Sequence, residues 1–185
     1  MKAGVSIGDR VTVVGAGSIG LNICAAAKAA GARHVVVAAK TRKRLEYAAS
    51  VGADAVIATE ECDLAQGAAA YHPGGSDIAI DATGSENCIQ ACLKLVRPGG
   101  TVVLAGYGGY RNMQIVMDEV HIKNLRVIGA GNNWNVIEKS LSLLESGRIK
   151  TEQLATYLTN LDDWQAALDK TEKRPECFVK SVFVF

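Results

Sequence analysis

Apolar residues in the first 130 positions occur in short continuous runs rich in valine, isoleucine and alanine. Such runs are typical of strands that are buried on both faces of a parallel sheet. They predict six strands, at 10–16, 34–39, 54–58, 77–82, 101–106 and 125–130. The segments between them predict helices from Ser18 to a stop at Gly31, over 42–52 with Gly52 at its end, and over 86–96.

This alternation of strand and helix predicts the fold class. Helical connections between strands imply right-handed crossovers, and therefore a parallel sheet with helices on both faces. Six strands in two βαβαβ halves make the doubly wound, Rossmann-type α/β arrangement. Residues 59–76 have less pattern and contain breakers such as Pro73, which indicates a loop, and 98–100 predict a tight turn.

The pattern changes after residue 131. Apolar positions at helical spacing predict amphipathic helices over 135–147 and 162–173, the second with Asp162 as its N-cap. The chain ends in FVKSVFVF (178–185), which is rich in aromatic and β-branched residues and predicts a strand. No partner for that strand is evident from the sequence.

Composition narrows the class of protein. The chain has 185 residues, 49% of them apolar, and a net charge of +1, which indicates one folded domain and gives no bulk charge for nucleic acid. We expect a cytoplasmic protein with no membrane segment, because no signal-peptide pattern and no membrane-length apolar run is visible. The five cysteines form no disulfide framework or zinc spacing, and Cys88 and Cys92 are interpreted as small apolar residues of one helix face.

A glycine-rich turn between the first strand and the first helix carries the clearest chemistry. Gly15, Gly17 and Gly20 match G-x-G-x-x-G in the setting that dinucleotide binding requires. The first glycine permits the turn, the second admits the pyrophosphate, and the third lets helix and strand pack closely. The positive end of the helix then faces the phosphates.

The end of the second strand bears on the choice of cofactor. An Asp or Glu there normally binds the ribose hydroxyls of NAD, but this chain has Ala39, followed by Lys40, Arg42, Lys43 and Arg44. Loss of an anion and gain of cations favours a 2′-phosphate, and therefore NADP(H) over NAD(H). The alternative is that these cations are the solvated first turn of a helix.

Two further turns close central strands at the edge where a dinucleotide lies. Asp81-Ala82-Thr83-Gly84 follows the fourth strand and Gly106-Tyr107-Gly108-Gly109 the fifth. Both are expected to border the nicotinamide, although each could be a plain glycine turn after a buried strand.

Catalytic groups are missing from the pattern. His34, His72 and His121 form no cluster with metal spacing, and no lysine stands four residues beyond any tyrosine. No Gly-x-Ser-x-Gly or P-loop motif occurs either. The sequence predicts a cofactor site without catalytic residues or metal ligands of its own.

The order of motifs resembles one known family. GDRVTVVGAGSIGL, RLEYAASVGAD, DIAIDATGS, LKLVRPGGTVVLAG, IKNLRVIGA and LLESGRIK together resemble the C-terminal half of the medium-chain, zinc-type alcohol and polyol dehydrogenases. The resemblance covers nearly all of the chain. It implies a catalytic zinc on a separate N-terminal, GroES-like domain that this chain lacks, with 1–150 as the cofactor domain and 151–185 returning to the absent domain.

The resemblance also implies roles for particular residues. It assigns the pyrophosphate to Gly15, Gly17, Ser18, Ile19 and Gly20. It assigns the adenosine ribose to Ala39, Lys40 and Arg44, and the nicotinamide side to Thr83, Gly84, Gly106 and Tyr107. It further implies a homodimer formed through the strand 125–130.

The favoured hypothesis is therefore the NADP(H)-binding half of an alcohol or polyol dehydrogenase, inactive by itself. The alternative from another class is a stand-alone module that senses NADP(H) or regulates a partner. A third possibility is a complete reductase with an unfamiliar proton donor, Tyr107 or His121.

Overall fold

The computed structural model describes residues 3–131, 136–175 and 177–185. Six parallel strands form one sheet in the order β3-β2-β1-β4-β5-β6, which confirms the doubly wound α/β class. The strands are β1 Arg10–Val14, β2 His34–Ala39, β3 Ala55–Ala58, β4 Ser76–Asp81, β5 Val96–Leu104 and β6 Arg126–Gly129. From β1 the chain adds β2 and β3 on one side of the sheet and then β4, β5 and β6 on the other, so the strand order switches between β1 and β4. The carboxyl ends of these two neighbouring strands therefore flank the crevice in which such folds bind ligands.

Helices cover the two faces of this sheet. Helix α1 Ser18–Ala29 packs on one face, and α2 Leu64–Tyr71 and α3 Glu86–Leu95 pack on the other. The remaining described helices are α4 Asp118–Ile122, α5 Ile137–Glu145 and α6 Trp164–Lys173, the last of which packs on a separate two-stranded sheet. Side chains alternate along β2, so Val35 and Val37 belong to the core cluster that contains α1, while Val36 and Ala38 join the cluster of α3. Both faces of the central strands are thereby buried, which explains their continuous apolar runs.

The predicted helix over 42–52 is wrong. The segment instead forms two 3₁₀ turns, Arg42–Leu45 and Ala49–Val51. Its buried residues Leu45, Ala48 and Val51 recur every third position, which matches the three residues per turn of a 3₁₀ helix.

Residues 59–76 contain a helix that the sequence pattern did not predict. The Asp63 carboxylate caps α2 by accepting hydrogen bonds from the Ala65 and Gln66 amides at 2.9 and 3.1 Å. The predicted tight turn at 98–100 is also absent as such, because these residues lie within β5. The ladder between β4 and β5 shifts register there, between Ser76 and Ile78.

The C-terminal part differs from prediction in its caps and pairing. Helix α5 lies within the predicted 135–147, whose residue 135 is outside the described residues. The Asp162 cap is wrong, because Asp162 lies in a 3₁₀ turn over Leu161–Asp163 that precedes α6. The final strand does have a partner, since β8 Ser181–Phe183 pairs in parallel with β7 Tyr157–Thr159.

Side chains from this region also reach the main core. Leu154 is buried in the same cluster as α1, and Val179 packs against that cluster. Among the described helices, none is long and apolar enough to cross a bilayer.

Candidate functional site

The glycine motif G-x-G-x-x-G of the β1–α1 turn, called the fingerprint below, comprises Gly15, Gly17 and Gly20, and these three glycines differ in what surrounds them. Gly15 has φ +113°, and a Cβ there would lie 2.8 Å from Cγ2 of Thr83. A Cβ on Gly20 would lie 1.8 Å from the carbonyl oxygen of Gly15, so α1 and the turn touch backbone to backbone. Gly17 has no heavy atom within 4 Å of the corresponding position. Gly15 and Gly20 therefore serve the fold, whereas Gly17 leaves open space beside the helix.

That open space adjoins the N-terminus of α1. Gly17 occupies the N-cap position, and the first turn of the helix carries no acidic side chain. A glycine cap leaves the first N–H groups of a helix without a side-chain acceptor, so they are available to an anion. Ser18 and Ile19, which the family resemblance assigned to the pyrophosphate, begin the first turn of α1. The residues present thus fit the phosphates of a dinucleotide.

The basic segment after β2 divides into paired and cleft-lining residues. Ala39 is buried at the end of the strand and Lys40 is exposed directly after it. Arg42 forms an ion pair with Glu61, with 2.8 Å between the Arg42 Nε and Glu61 Oε1 atoms. That hydrogen bond holds the pKa of Glu61 below its usual value. Arg44 instead lines a cleft beside the fingerprint.

A buried hydroxyl without a partner lies in the same segment. Within the described residues, the Oγ1 atom of Thr41 is buried and has no hydrogen-bond partner. Buried polar groups are nearly always satisfied in folded proteins, so an unsatisfied one next to Ala39 and Lys40 is consistent with a ligand-binding position.

The turn after β4 is organised by a carboxylate. Asp81 is fully buried, and it accepts hydrogen bonds from the Thr83 amide at 3.0 Å, the Thr83 hydroxyl at 2.6 Å and the Gly84 amide at 3.0 Å. These bonds fix the backbone of the turn at the carboxyl end of the sheet. The sequence analysis placed Asp81 in this turn but did not predict that its carboxylate stabilises the turn.

The turns after β4 and β5 interlock through two glycines. A Cβ on Gly84 would lie 2.4 Å from the Tyr107 carbonyl carbon, and one on Gly106 would lie 2.0 Å from the Gly84 amide nitrogen. The four residues predicted to face the nicotinamide are therefore adjacent, and close backbone packing accounts for both glycines. Tyr107 is 72% exposed beside them, and a hydrogen bond with Tyr110 raises its pKa.

Two cavities adjoin the start of α1. The smaller, of about 250 Å³, is the fingerprint cleft, and Gly17, Ser18, Ile19, Arg44 and Ala82 line it on one side. Its other wall comes from the C-terminal part of the chain and consists of Thr171, Arg174, Phe178, Val179, Lys180 and Ser181. The larger, of about 920 Å³, is mainly apolar and lies between α1, α5 and the sheet. Neither Arg174 nor Lys180 was predicted from the sequence, because both are far along the chain from the glycine turn and belong to no motif.

The histidines lie away from this edge. His34 begins β2, and its Nδ1 atom is 3.0 Å from Nε2 of His72. His72 was expected in a loop but is buried, and its ring contacts the hydroxyls of Thr12 and Ser76. These residues occupy the amino ends of the strands, opposite the fingerprint. Across residues 3–131, 136–175 and 177–185, no three His, Cys, Asp or Glu side chains gather as a metal site.

Comparison with known proteins gives one family and two kinds of relative. Residues 18–146 match the model of a family described as zinc-binding dehydrogenase. D-arabinitol dehydrogenase 1 from Uromyces fabae is 30% identical over 179 residues, which cover 90% of this chain and 49% of that protein. A putative D-xylulose reductase from Agrobacterium fabrum is 30% identical over 181 residues, which cover 97% of this chain and 51% of that protein. The chain thus spans about half the length of these curated relatives.

Solved structures agree with the sequence matches. A putative zinc-binding dehydrogenase from Sinorhizobium meliloti 1021, bound to NADP, has a TM-score of 0.84 at 25% identity. The match covers 98% of this chain and 52% of that one. A short chain alcohol dehydrogenase from E. coli CFT073, complexed with NADH, has a TM-score of 0.91 at 25% identity. That match covers 100% of this chain and 54% of the other.

Proposed function

Because the chain belongs to the zinc-binding dehydrogenase family, we propose that it is the nicotinamide-dinucleotide-binding half of an alcohol or polyol dehydrogenase. The observation that carries this proposal is the N-terminus of α1. The helix begins after a glycine cap, Gly17, which has open space beside it, and the first turn of the helix contains no acidic residue. Curated relatives named as arabinitol dehydrogenase and xylulose reductase support a polyol or sugar as the substrate class.

In this proposal each described turn has one task. The N–H groups at Ser18 and Ile19 bind the pyrophosphate, with Gly17 giving the backbone room to approach it. The Asp81 carboxylate holds the turn of Thr83 and Gly84 in place against Gly106 and Tyr107, which orients the nicotinamide. The bound nicotinamide supplies or accepts the hydride.

We assign the proton transfer and the zinc to a part of the enzyme outside this chain. The described residues offer no zinc ligand set, and the curated relatives extend over about twice the matched length. Residues 1–150 then form the cofactor domain, and 151–185 connect it to the rest. The isolated chain is expected to bind cofactor and to have no dehydrogenase activity.

We further propose that the cofactor is NADP(H). Ala39 has no carboxylate that could bind the ribose hydroxyls of NAD or repel the 2′-phosphate of NADP. Lys40 and Arg44 add positive charge near that position. Similar folds are found with NADP and with NADH, so the choice rests on these residues.

A fluorescence titration of the purified chain with NADPH and NADH tests both proposals. Replacing Lys40 and Arg44 by alanine should weaken NADPH binding about tenfold or more, because each charged contact to phosphate contributes roughly 1.5–3 kcal/mol, and leave NADH nearly unchanged. Arg42→Ala is the matched control, since Arg42 pairs with Glu61. Binding of neither dinucleotide by the wild-type chain would contradict the proposed function, and a preference for NADH would contradict only the choice of NADP(H).

A stand-alone sensing module is a second candidate. Its support is the pairing of β8 with β7, which gives the tail a partner within the chain. Free thiols at all five cysteines, of which Cys62 and Cys177 are exposed, fit a reducing, cytoplasmic compartment for either candidate. Adding the N-terminal half of a related dehydrogenase distinguishes the two: restored turnover supports the enzyme, and its absence with intact binding supports the module.

A further inference from the structure

The fingerprint cleft has a wall that the glycine motif does not supply. Arg174 follows α6 directly, and its backbone N–H donates to the Lys170 carbonyl oxygen, which caps the helix. It has φ +42°, a left-handed conformation that few non-glycine residues adopt. This backbone conformation lies at the point where the chain turns from α6 toward β8, and the Arg174 side chain lines the cleft.

Among the described residues, the charged side chains that line the cleft are all positive. Arg44, Arg174 and Lys180 line it, and none of the described lining residues is acidic. The positive end of the α1 dipole faces the same space through Gly17 and Ser18. Three cationic side chains and a helix N-terminus supply more positive charge than binding of the pyrophosphate alone requires. The charge of the cleft therefore suits a further phosphate group.

Arg174 has donors for such a ligand. Its Nε atom contacts the Thr171 carbonyl oxygen at 3.4 Å, at the long end of the hydrogen-bond range. The terminal amino groups of the guanidinium take no part in that contact. A guanidinium binds phosphate oxygens in a bidentate manner, which a lysine cannot do.

We propose that Arg174 is a specificity-determining residue that, together with Arg44, binds the 2′-phosphate of a phosphorylated dinucleotide. Arg44 comes from the segment after β2 and Arg174 from the segment after α6, so the two guanidinium groups reach one cleft from separate parts of the chain. The inference rests on the proposed function and extends it, because it makes the C-terminal segment part of the cofactor-selecting site.

The test compares Arg174→Asn with Lys173→Asn. Asparagine tolerates a positive φ, so the first variant removes the guanidinium with little change in backbone strain. Lys173 is exposed, pairs with Asp169 and does not line the cleft, so the second variant removes the same charge one residue away. Thermal melting of both variants and of Arg174→Lys verifies that each is folded.

Four probes separate the phosphates: NADPH, NADH, 2′,5′-ADP and ADP. Arg174→Asn should weaken NADPH and 2′,5′-ADP about tenfold or more and change NADH and ADP less than about twofold. Arg174→Lys should retain part of the affinity, and Lys173→Asn all of it.

Two outcomes overturn the inference. Equal affinities in Arg174→Asn and Lys173→Asn, or equal losses for NADPH and NADH, would refute the 2′-phosphate role while leaving the proposed function standing. A wild-type chain that binds no probe would refute both.

Discussion

Glycines at the same motif have opposite consequences when replaced. Gly20 faces the Gly15 carbonyl oxygen so closely that a methyl group would lie 1.8 Å from it, and neither backbone can move without separating α1 from β1. We expect Gly20→Ala to lower the free energy of unfolding by about 2 kcal/mol or more, as overpacking of rigid backbone does. Urea denaturation measures this.

Gly17→Ala is its control. Nothing lies within 4 Å of that position, so the variant should unfold as the wild type does while binding dinucleotide more weakly. Similar losses of stability in both variants would refute the distinction between the two glycines.

A buried histidine makes stability depend on pH. Burial first, and then the charges of His34 and Arg10, lower the pKa of His72 to about 4. The unfolded chain, with an ordinary histidine pKa of about 6.5, binds the proton more readily between these values, so acid favours unfolding there. We expect the free energy of unfolding to rise by as much as about 3 kcal/mol between pH 4 and 6.5.

Urea denaturation at pH 4.5 and 7 checks this expectation. His72→Gln should lose most of the slope, and the exposed His121→Gln should keep it. Asp77 acts only at lower pH: burial would raise its pKa, but hydrogen bonds from Arg97 and Arg10 hold it at about 2. A slope unchanged in His72→Gln would assign it to other groups.

At the scale of elements, the sequence predicted what depends on local pattern. Continuous apolar runs identified β1, β2 and β4 because both faces of these central strands are buried. The edge strand β6 has a similar apolar run although most of its residues are exposed. The helix over 42–52 was mispredicted because burial of Leu45, Ala48 and Val51 at every third position resembles one side of an α-helix. Helix α2 was missed although Asp63 is a good N-cap, since the breakers Pro73, Gly74 and Gly75 that follow it suggested a loop. Gly67 has a packing reason, with Ile57 at 3.0 Å from a Cβ there.

The candidate site divides in the same way. The glycines of the fingerprint, Ala39 and Arg44 could be predicted, because motif spacing is local. The place of Arg174 in the cleft, on which its proposed role rests, could not, because it depends on where α6 ends in space relative to α1. The Asp81 carboxylate lies between these cases: it stands in a recognised turn, but only the structure shows that its oxygens bind the backbone of that turn.

The whole molecule has one sheet edge that suits pairing with a second copy. Strand β6 is the last in the sheet, and Val127 on it is 40% exposed. The Ala130 amide donates to Leu104, so by alternation the Ile128 amide faces β5 and the Val127 amide faces away. We propose a homodimer through this edge, and expect Val127→Pro to convert it to monomer because proline removes an outward donor.

Light scattering coupled to size exclusion measures the change in mass. Val116→Ala, at an exposed apolar residue outside the sheet, is the control and should not alter it. A wild-type chain that is already monomeric would refute the proposed dimer, and a dimeric Val127→Pro would place the interface elsewhere.

The contact between Gly20 and Gly15 also bears on the entropy of ligand binding. Backbone in direct contact leaves α1 no freedom to slide or tilt relative to β1, so the amides at its start stay at one height above the sheet. In the proposed complex, the phosphate oxygens of the dinucleotide meet N–H donors that are already ordered, so the entropy of ordering them is lost during folding rather than on association. The fingerprint is in this sense a preorganised receptor, and the ordering that remains falls to the long side chains of the cleft.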